Sequence, residues 1–201
     1  MRTVARVRCQ LLLITGSTRG GSTNTAVLRT AQTVAPAEAN TLLYERLAEL
    51  PAFNPDDDHD PLPEPVDELR RSIRECSAIL LCTPEYAGAL PGAFKNLLDW
   101  TIGDGAPGSI YRKPVAWINA SSPASPSGGA GAHESLATVL GYVGADIIDP
   151  ACRRLPLIRT MVSADGLVTD PDAKDLISRV VQTLVDHVAA TTDRSVEGPP
   201  A

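Results

Sequence analysis

The donor chemistry of this 201-residue chain is concentrated in one stretch, Gly16-Ser17-Thr18-Arg19-Gly20-Gly21-Ser22-Thr23-Asn24. Its glycines let backbone N–H groups converge, and Ser17, Ser22, Thr23 and Asn24 add hydroxyl and amide donors. Arg19 contributes a fixed charge that suits a terminal phosphate. The apolar run Leu11-Leu12-Leu13-Ile14 precedes the stretch, and Thr25 to Ala31 follows it with helical apolar spacing. It therefore reads as a strand-to-helix turn, where the helix N-terminus also favours an anion. From Gly16 to Thr23 the spacing copies a Walker A loop, but Ser22 stands where a lysine must reach the β/γ-phosphates, which disfavours an ATPase. The dinucleotide fingerprint fails as well, because Thr18 replaces its second glycine. A hydroxyl-rich loop with one arginine fits a monophosphate better than a pyrophosphate. The alternative is a well-capped helix start with Ser22 as N-cap.

No other cluster offers a catalytic or metal-binding set. His59, His133 and His187 fall in a loop, at a helix start and on a terminal helix, with no partners forming a Ser-His-Asp or Cys-His arrangement. Cys9, Cys76, Cys82 and Cys152 are scattered and read as buried reduced thiols. Asp56-Asp57-Asp58-His59-Asp60 lies among five prolines between Pro51 and Pro65 and reads as a solvated loop rather than a metal site. A net charge of −6 without a basic aromatic cluster argues against nucleic acid, and no apolar run approaches a membrane span. The basic start, Met1 to Arg8, lacks the features of a cleaved leader, so the expectation is a cytoplasmic protein.

The elements that must position the loop follow from periodicity. Strands are expected at Val7–Ile14, Thr41–Leu47, Ser77–Cys82, Val115–Ala120 and Ala145–Ile148. Helices are expected at Thr23–Val34, Val66–Cys76, from Pro91 to Ile102, His133–Val143 and Pro171–Ala190. Such alternation gives an open parallel sheet with helices on both faces and its loops after the strands gathered at one edge. Three unusual loops share that edge: Thr15 to Asn24, Thr83 to Gly92 and Ala120 to Gly131. Ligands of such sheets bind there. The stiff segment with Pro84, Gly88, Pro91 and Gly92 would let backbone approach a flat ring.

Gly16-Ser17-Thr18-Arg19 with Ser22 and Asn24, followed by Thr83-Pro84-Glu85-Tyr86 and by Leu90-Pro91-Gly92-Ala93-Phe94-Lys95-Asn96-Leu97-Leu98-Asp99-Trp100, resembles the NADPH-dependent FMN reductase family of flavodoxin-like proteins. The resemblance spans roughly residues 7 to 190. It implies an α/β flavodoxin-like fold, an open twisted parallel sheet of about five strands in one FMN-binding domain over residues 1–194, with 195–201 a flexible tail. It also implies FMN as cofactor, NADPH or NADH as co-substrate, a small-molecule electron acceptor (a quinone, an azo compound, free flavin or a metal ion) and a homodimer or homotetramer. Carried over by position, Ser17, Arg19, Ser22 and Asn24, within the loop completed by Gly16 and Thr23, hold the phosphate and ribityl chain. Pro84, Glu85 and Tyr86 line the isoalloxazine, and the backbone at Ala87 and Gly88 faces the ring. Ser121, with Ser122 and Gly128-Gly129, closes the other side. Where the family frequently has Asn after Pro-Glu-Tyr, this chain has Ala87. With a flavin supplying the chemistry, no catalytic side chain is expected.

Two rival readings are an electron carrier of flavodoxin type without its own nicotinamide oxidation, and a flavodoxin-like subunit without cofactor. Against the carrier, flavodoxins usually show a threonine-rich, arginine-free first loop, and −6 is mild for a partner that docks by charge. Phe94, Leu98 and Trp100 suggest that the helix from Pro91 to Ile102 lies near a subunit contact.

Overall fold

A computed structural model describes residues 9–196. The first strand, β1 (Cys9–Thr15), is buried at every position except the half-buried Gln10, as a strand covered on both faces must be. It pairs in parallel with β2 (Ala39–Tyr44) on one side and β3 (Ala78–Thr83) on the other. Beyond β3 lies β4 (Pro114–Ser121), again parallel. The outer edge of β4 is shared by two short strands: β5 (Asp146–Ile147) pairs with Pro114 and Val115, and β6 (Arg153–Pro156) pairs with Ile118 to Ser121. The order is thus β2-β1-β3-β4, then β5 and β6 along one edge, all parallel.

The chain moves outward from β1 to β2 and returns across β1 to β3, so right-handed crossovers put consecutive helices on opposite faces at that reversal. Helices α1 (Thr23–Val34) and α5 (Pro171–Val196) pack on each other and on the central strands. The opposite face carries α2 (Glu64–Glu75), α3 (Gly92–Asp99) and α4 (Ala130–Tyr142). This is the expected flavodoxin-like architecture.

The differences from the sequence reading lie at element ends and one edge. β2 starts at Ala39 and stops at Tyr44, α4 starts at Ala130, and α5 runs on to Val196 instead of ending at Ala190. The expected start of β1 at Val7 and the tail residues beyond Val196 lie outside the described residues. β6 occupies what the sequence offered only as an extended stretch, since four residues containing Pro156 carry too little apolar signal. The loop from Pro51 to Pro65 is tied down instead of solvated throughout. Asn96 accepts from the Phe53 N–H at 2.7 Å and donates to the Pro51 carbonyl at 2.8 Å, and Asp58 pairs with the buried Arg70 at 2.7 Å. The Trp100 indole N–H also donates to Pro51 at 2.8 Å, with Phe53 edge-on to its ring at 5.0 Å. Phe94, Leu98 and Trp100 are buried within the chain itself, so they do not supply the apolar surface expected at a subunit contact.

Candidate functional site

The phosphate-type loop is organised by its own hydroxyls. The Ser22 side chain caps α1 by accepting from the Thr25 N–H at 3.0 Å, Thr15 Oγ1 accepts from the Ser17 N–H at 3.3 Å, and Ser17 Oγ accepts from the Arg19 N–H at 3.3 Å. These bonds fix the turn and leave other donors free. Among the described residues, no protein acceptor meets the backbone N–H groups of Ser22, Thr23 or Asn24, the converging set that an anion at a helix start would use. Asn24 is buried, its amide oxygen accepting from the Cys82 thiol at 3.3 Å, which ties the start of α1 to β3. Arg19 is exposed and makes no ion pair among the described residues. Gly16 acts by packing: a Cβ there would lie 2.5 Å from Thr83 Oγ1 and 2.9 Å from the Phe94 ring, and its N–H already donates to the Cys82 carbonyl at 2.7 Å. It lets β1 and β3 close together and gives no donor to a ligand.

The second loop is a two-residue hairpin. Tyr86 and Ala89 exchange both backbone hydrogen bonds at 3.0 Å, and Ala87 and Gly88 between them have φ of 50° and 75°. Two successive positive φ values define a type I′ turn, whose preferred sequence is Asn-Gly. That accounts physically for the frequent family Asn at the position of Ala87: it suits the backbone, whatever it does for a substrate.

Glu85 braces the second loop against the third. One carboxylate oxygen accepts from the Ser127 hydroxyl, and the other accepts from the Ala132 N–H at 3.1 Å. The N-cap of α4, Gly129, has no side chain to offer, so Glu85 caps that helix from a different loop. The Ser127 bond, aided by the α4 amides, holds its carboxyl below the usual glutamate range. Where a Cβ of Gly131 would stand, the Gly88 carbonyl oxygen lies only 2.0 Å away, so α4 packs directly on the hairpin.

Beneath the third loop, the Trp117 indole N–H donates to His133 Nδ1 at 2.9 Å, so the proton of the neutral ring belongs on Nε2. Burial first, then Arg154, pushes the His133 pKa down. Asn119 Oδ1 stands 3.1 Å from the same Nδ1, while its buried Nδ2 has no partner. This histidine is structural.

Together the loops enclose a cavity of about 430 Å³. It is lined by Ser17, Arg19, Ser22, Thr23, Asn24, Pro84, Glu85, Tyr86 and Ser121, so nine of the sequence-predicted positions meet in one place. Gly16, Ala87 and Gly88 do not line it: Gly16 is packed below, and Gly88 faces a neighbouring groove of about 480 Å³ beside α4. A fourth wall, Leu157, Ile158 and Arg159, is outside the three loops expected from the sequence and is brought to the site by β6. The only signal was the alternation of buried Leu155 and Leu157 with exposed neighbours.

The lining combines a cationic, donor-rich set from the first loop with the apolar surface of Pro84, Tyr86, Ala120, Leu157 and Ile158. That donor set and size fit a flat, largely apolar ring with an anionic tail, as FMN has. The four cysteines are free and buried. Burial raises the Cys9 and Cys76 thiols to about 11 and Cys152 to about 12, and pushes Cys82 up as well. No group of metal-binding side chains occurs among the described residues, nor does any helix there have the length and apolarity to cross a membrane.

Comparison with known proteins gives a consistent picture. The sequence profile of the NADPH-dependent FMN reductases matches residues 9–153. An NAD(P)H-dependent FMN reductase of Pseudomonas aeruginosa is 30% identical over 176 residues, 87% of this chain and 92% of that protein. A quinone reductase of Escherichia coli is 33% identical over 94 residues, covering 46% of this chain and half of the relative's length. Among solved structures, FerB, the flavoenzyme NAD(P)H:(acceptor) oxidoreductase of Paracoccus denitrificans, superposes with a TM-score of 0.78 at 29% identity over 90% of this chain and 98% of that one.

Proposed function

The chain belongs to the NADPH-dependent FMN reductase family, and from that premise we propose that it is an NAD(P)H-dependent oxidoreductase that carries FMN in the cavity described above. The observation that carries the reading is the meeting, in one cavity, of unengaged α1 N–H groups and Arg19 with the apolar surface of Pro84, Tyr86 and Ile158. FMN, when bound, supplies hydride acceptance from the nicotinamide and onward transfer of electrons to an acceptor.

The chain's own part is to bind and orient. Arg19, Ser22 and the N–H groups of Thr23 and Asn24 hold a phosphate, Ser17 and Ser121 offer hydroxyls along the chain of the ligand, and Tyr86 with Ile158 shields its ring from water. Glu85 acts at one remove, holding the ring-side loop to α4. No side chain in the cavity is needed as a general acid or base. The acceptor is a small molecule, a quinone, an azo compound, free flavin or a metal ion, and reaches the same open edge of the cavity as the nicotinamide.

A homo-oligomer, dimer or tetramer, belongs to the proposal. Its support is the exposed face around α3 and α4, with Tyr142 92% exposed and the groove that includes Leu90 and Val139 open to solvent. Light scattering of the flavin-loaded protein giving the monomer mass would remove this part. The central experiment is the absorption spectrum of the purified protein followed by NADPH and NADH oxidation with a quinone. A flavin band with turnover supports the enzyme. A flavin band without nicotinamide oxidation makes the protein an electron carrier, and no flavin uptake on reconstitution refutes the cofactor assignment.

A further inference from the structure

Beyond the phosphate end of the flavin cavity lies a second groove of about 160 Å³. Gly21, Ser22 and Arg159 line both spaces, so the two adjoin. The groove adds Thr25 and Arg29 from α1 and Val162, Ala164, Asp165 and Gly166 from the segment before α5. That segment is held in place. Val162 and Val168 form an antiparallel bridge, Ser163 N–H donates to the Leu167 carbonyl at 2.9 Å, and Val168 N–H donates to the buried Thr30 hydroxyl of α1 at 2.9 Å.

The cations in the groove are weakly engaged. Arg159 makes no ion pair among the described residues, and Arg29 pairs with Glu45 at 3.4 Å, both side chains about half exposed or more, a contact of little strength. The Arg29 guanidinium lies against the 163–166 turn, 3.4 Å from where a Cβ of Gly166 would stand. Asp165 accepts from the Ser163 hydroxyl, which keeps it ionised, and a carboxylate so placed suits ribose hydroxyls. Ala26, Val162 and Ala164 supply small apolar surface for the face of a base.

We propose that this groove binds the adenosine phosphate portion of a dinucleotide, with Arg29 and Arg159 on its phosphate and Asp165 on its ribose. The assignment rests on the reading that a flavin occupies the adjoining cavity. Two ligands carry this chemistry: NADPH, which would lay its phosphorylated adenosine here beside bound FMN, and FAD, whose adenylate half would continue from the flavin phosphate.

The test is calorimetric titration of adenosine 2′,5′-bisphosphate into FMN-saturated and flavin-free protein, with FAD and FMN affinities for the flavin-free protein measured by flavin fluorescence. Losing one charge-assisted contact weakens binding by about tenfold or more. Arg29→Ala is therefore expected to weaken the bisphosphate by at least that factor while leaving FMN affinity unchanged, and Arg29→Lys to restore part of the loss. Binding of the bisphosphate to the FMN-saturated protein identifies the nicotinamide donor's tail as the occupant. Binding to the flavin-free protein alone, with FAD held more tightly than FMN in an Arg29-dependent way, identifies the adenylate of FAD. If FMN binds but the bisphosphate does not, or if Arg29→Ala changes neither the bisphosphate nor FAD, the groove is no such site. A protein that takes up no FMN overturns instead the flavin reading on which the groove's assignment rests.

Discussion

Ala87 is held at φ 50° in the first central position of the type I′ turn, and its side chain is exposed, so replacing it changes backbone preference with little change in packing. An L-residue with a Cβ in the left-handed region is raised by about 1–2 kcal/mol, a penalty that Asn largely escapes through local hydrogen bonding. Ala87→Asn should therefore stabilise the protein by about 0.5–1 kcal/mol, which for a domain of this size raises Tm by roughly 1–4 °C. Ala87→Gly relieves the same strain but gives back about 0.4–1 kcal/mol in unfolded-chain entropy, so it should lie close to wild type. Ala87→Val, β-branched in the same region, should be the least stable of the set. Differential scanning calorimetry of the four proteins without flavin measures the order directly. If Asn gives no gain and Val no loss, the turn is not left-handed in solution, and the account of the frequent family Asn as a backbone choice fails. A gain in stability together with an altered acceptor preference would show that the Asn side chain also meets the substrate.

Arg19→Ala should weaken FMN by about one to two decades, the worth of a charge-assisted hydrogen bond, and leave riboflavin unchanged, as fluorescence titration of both ligands would reveal. Equal losses for both ligands would remove Arg19 from the phosphate. Glu85→Ala deletes the acceptor that caps α4, at a cost of about 0.5–2 kcal/mol in denaturant unfolding, whereas Glu85→Gln should retain part of the bond to Ser127 or Ala132. Because the folded-state pKa of Glu85 is depressed, its contribution is present above the ordinary glutamate pKa and is lost as pH falls below it, so wild type and Glu85→Gln should converge in stability in acid. His133 titrates in a different window. Its folded-state pKa lies below 6.5, so the unfolded chain binds the proton first and stability should rise with pH up to about that value, a slope that His133→Gln should flatten in urea melts. No difference in slope between the two proteins would mean that the imidazole is not held neutral by Trp117.

Much of this protein is local and was readable in order. β1, β3 and β4 are continuous apolar runs because a strand covered on both faces must be, and α1 announces itself by the Ser22 cap followed by a helical apolar stripe. Right-handed crossovers then force the three loops to one edge, which is why nine of the predicted positions line one cavity. What the sequence could not decide is which members of a loop face inward and which are consumed in building it. Gly16 lies packed under Thr83 and lines no part of the cavity, and although Asn24 and Glu85 do line it, the Asn24 amide oxygen is tied to Cys82 and the Glu85 carboxylate caps a helix that begins 45 residues later. Such assignments depend on partners distant in sequence and brought near only by the sheet. The same holds for Leu157, Ile158 and Arg159. Four residues of β6 become a strand because β4 has a free edge to pair with, and that pairing, invisible in any local periodicity, carries the fourth wall to the site.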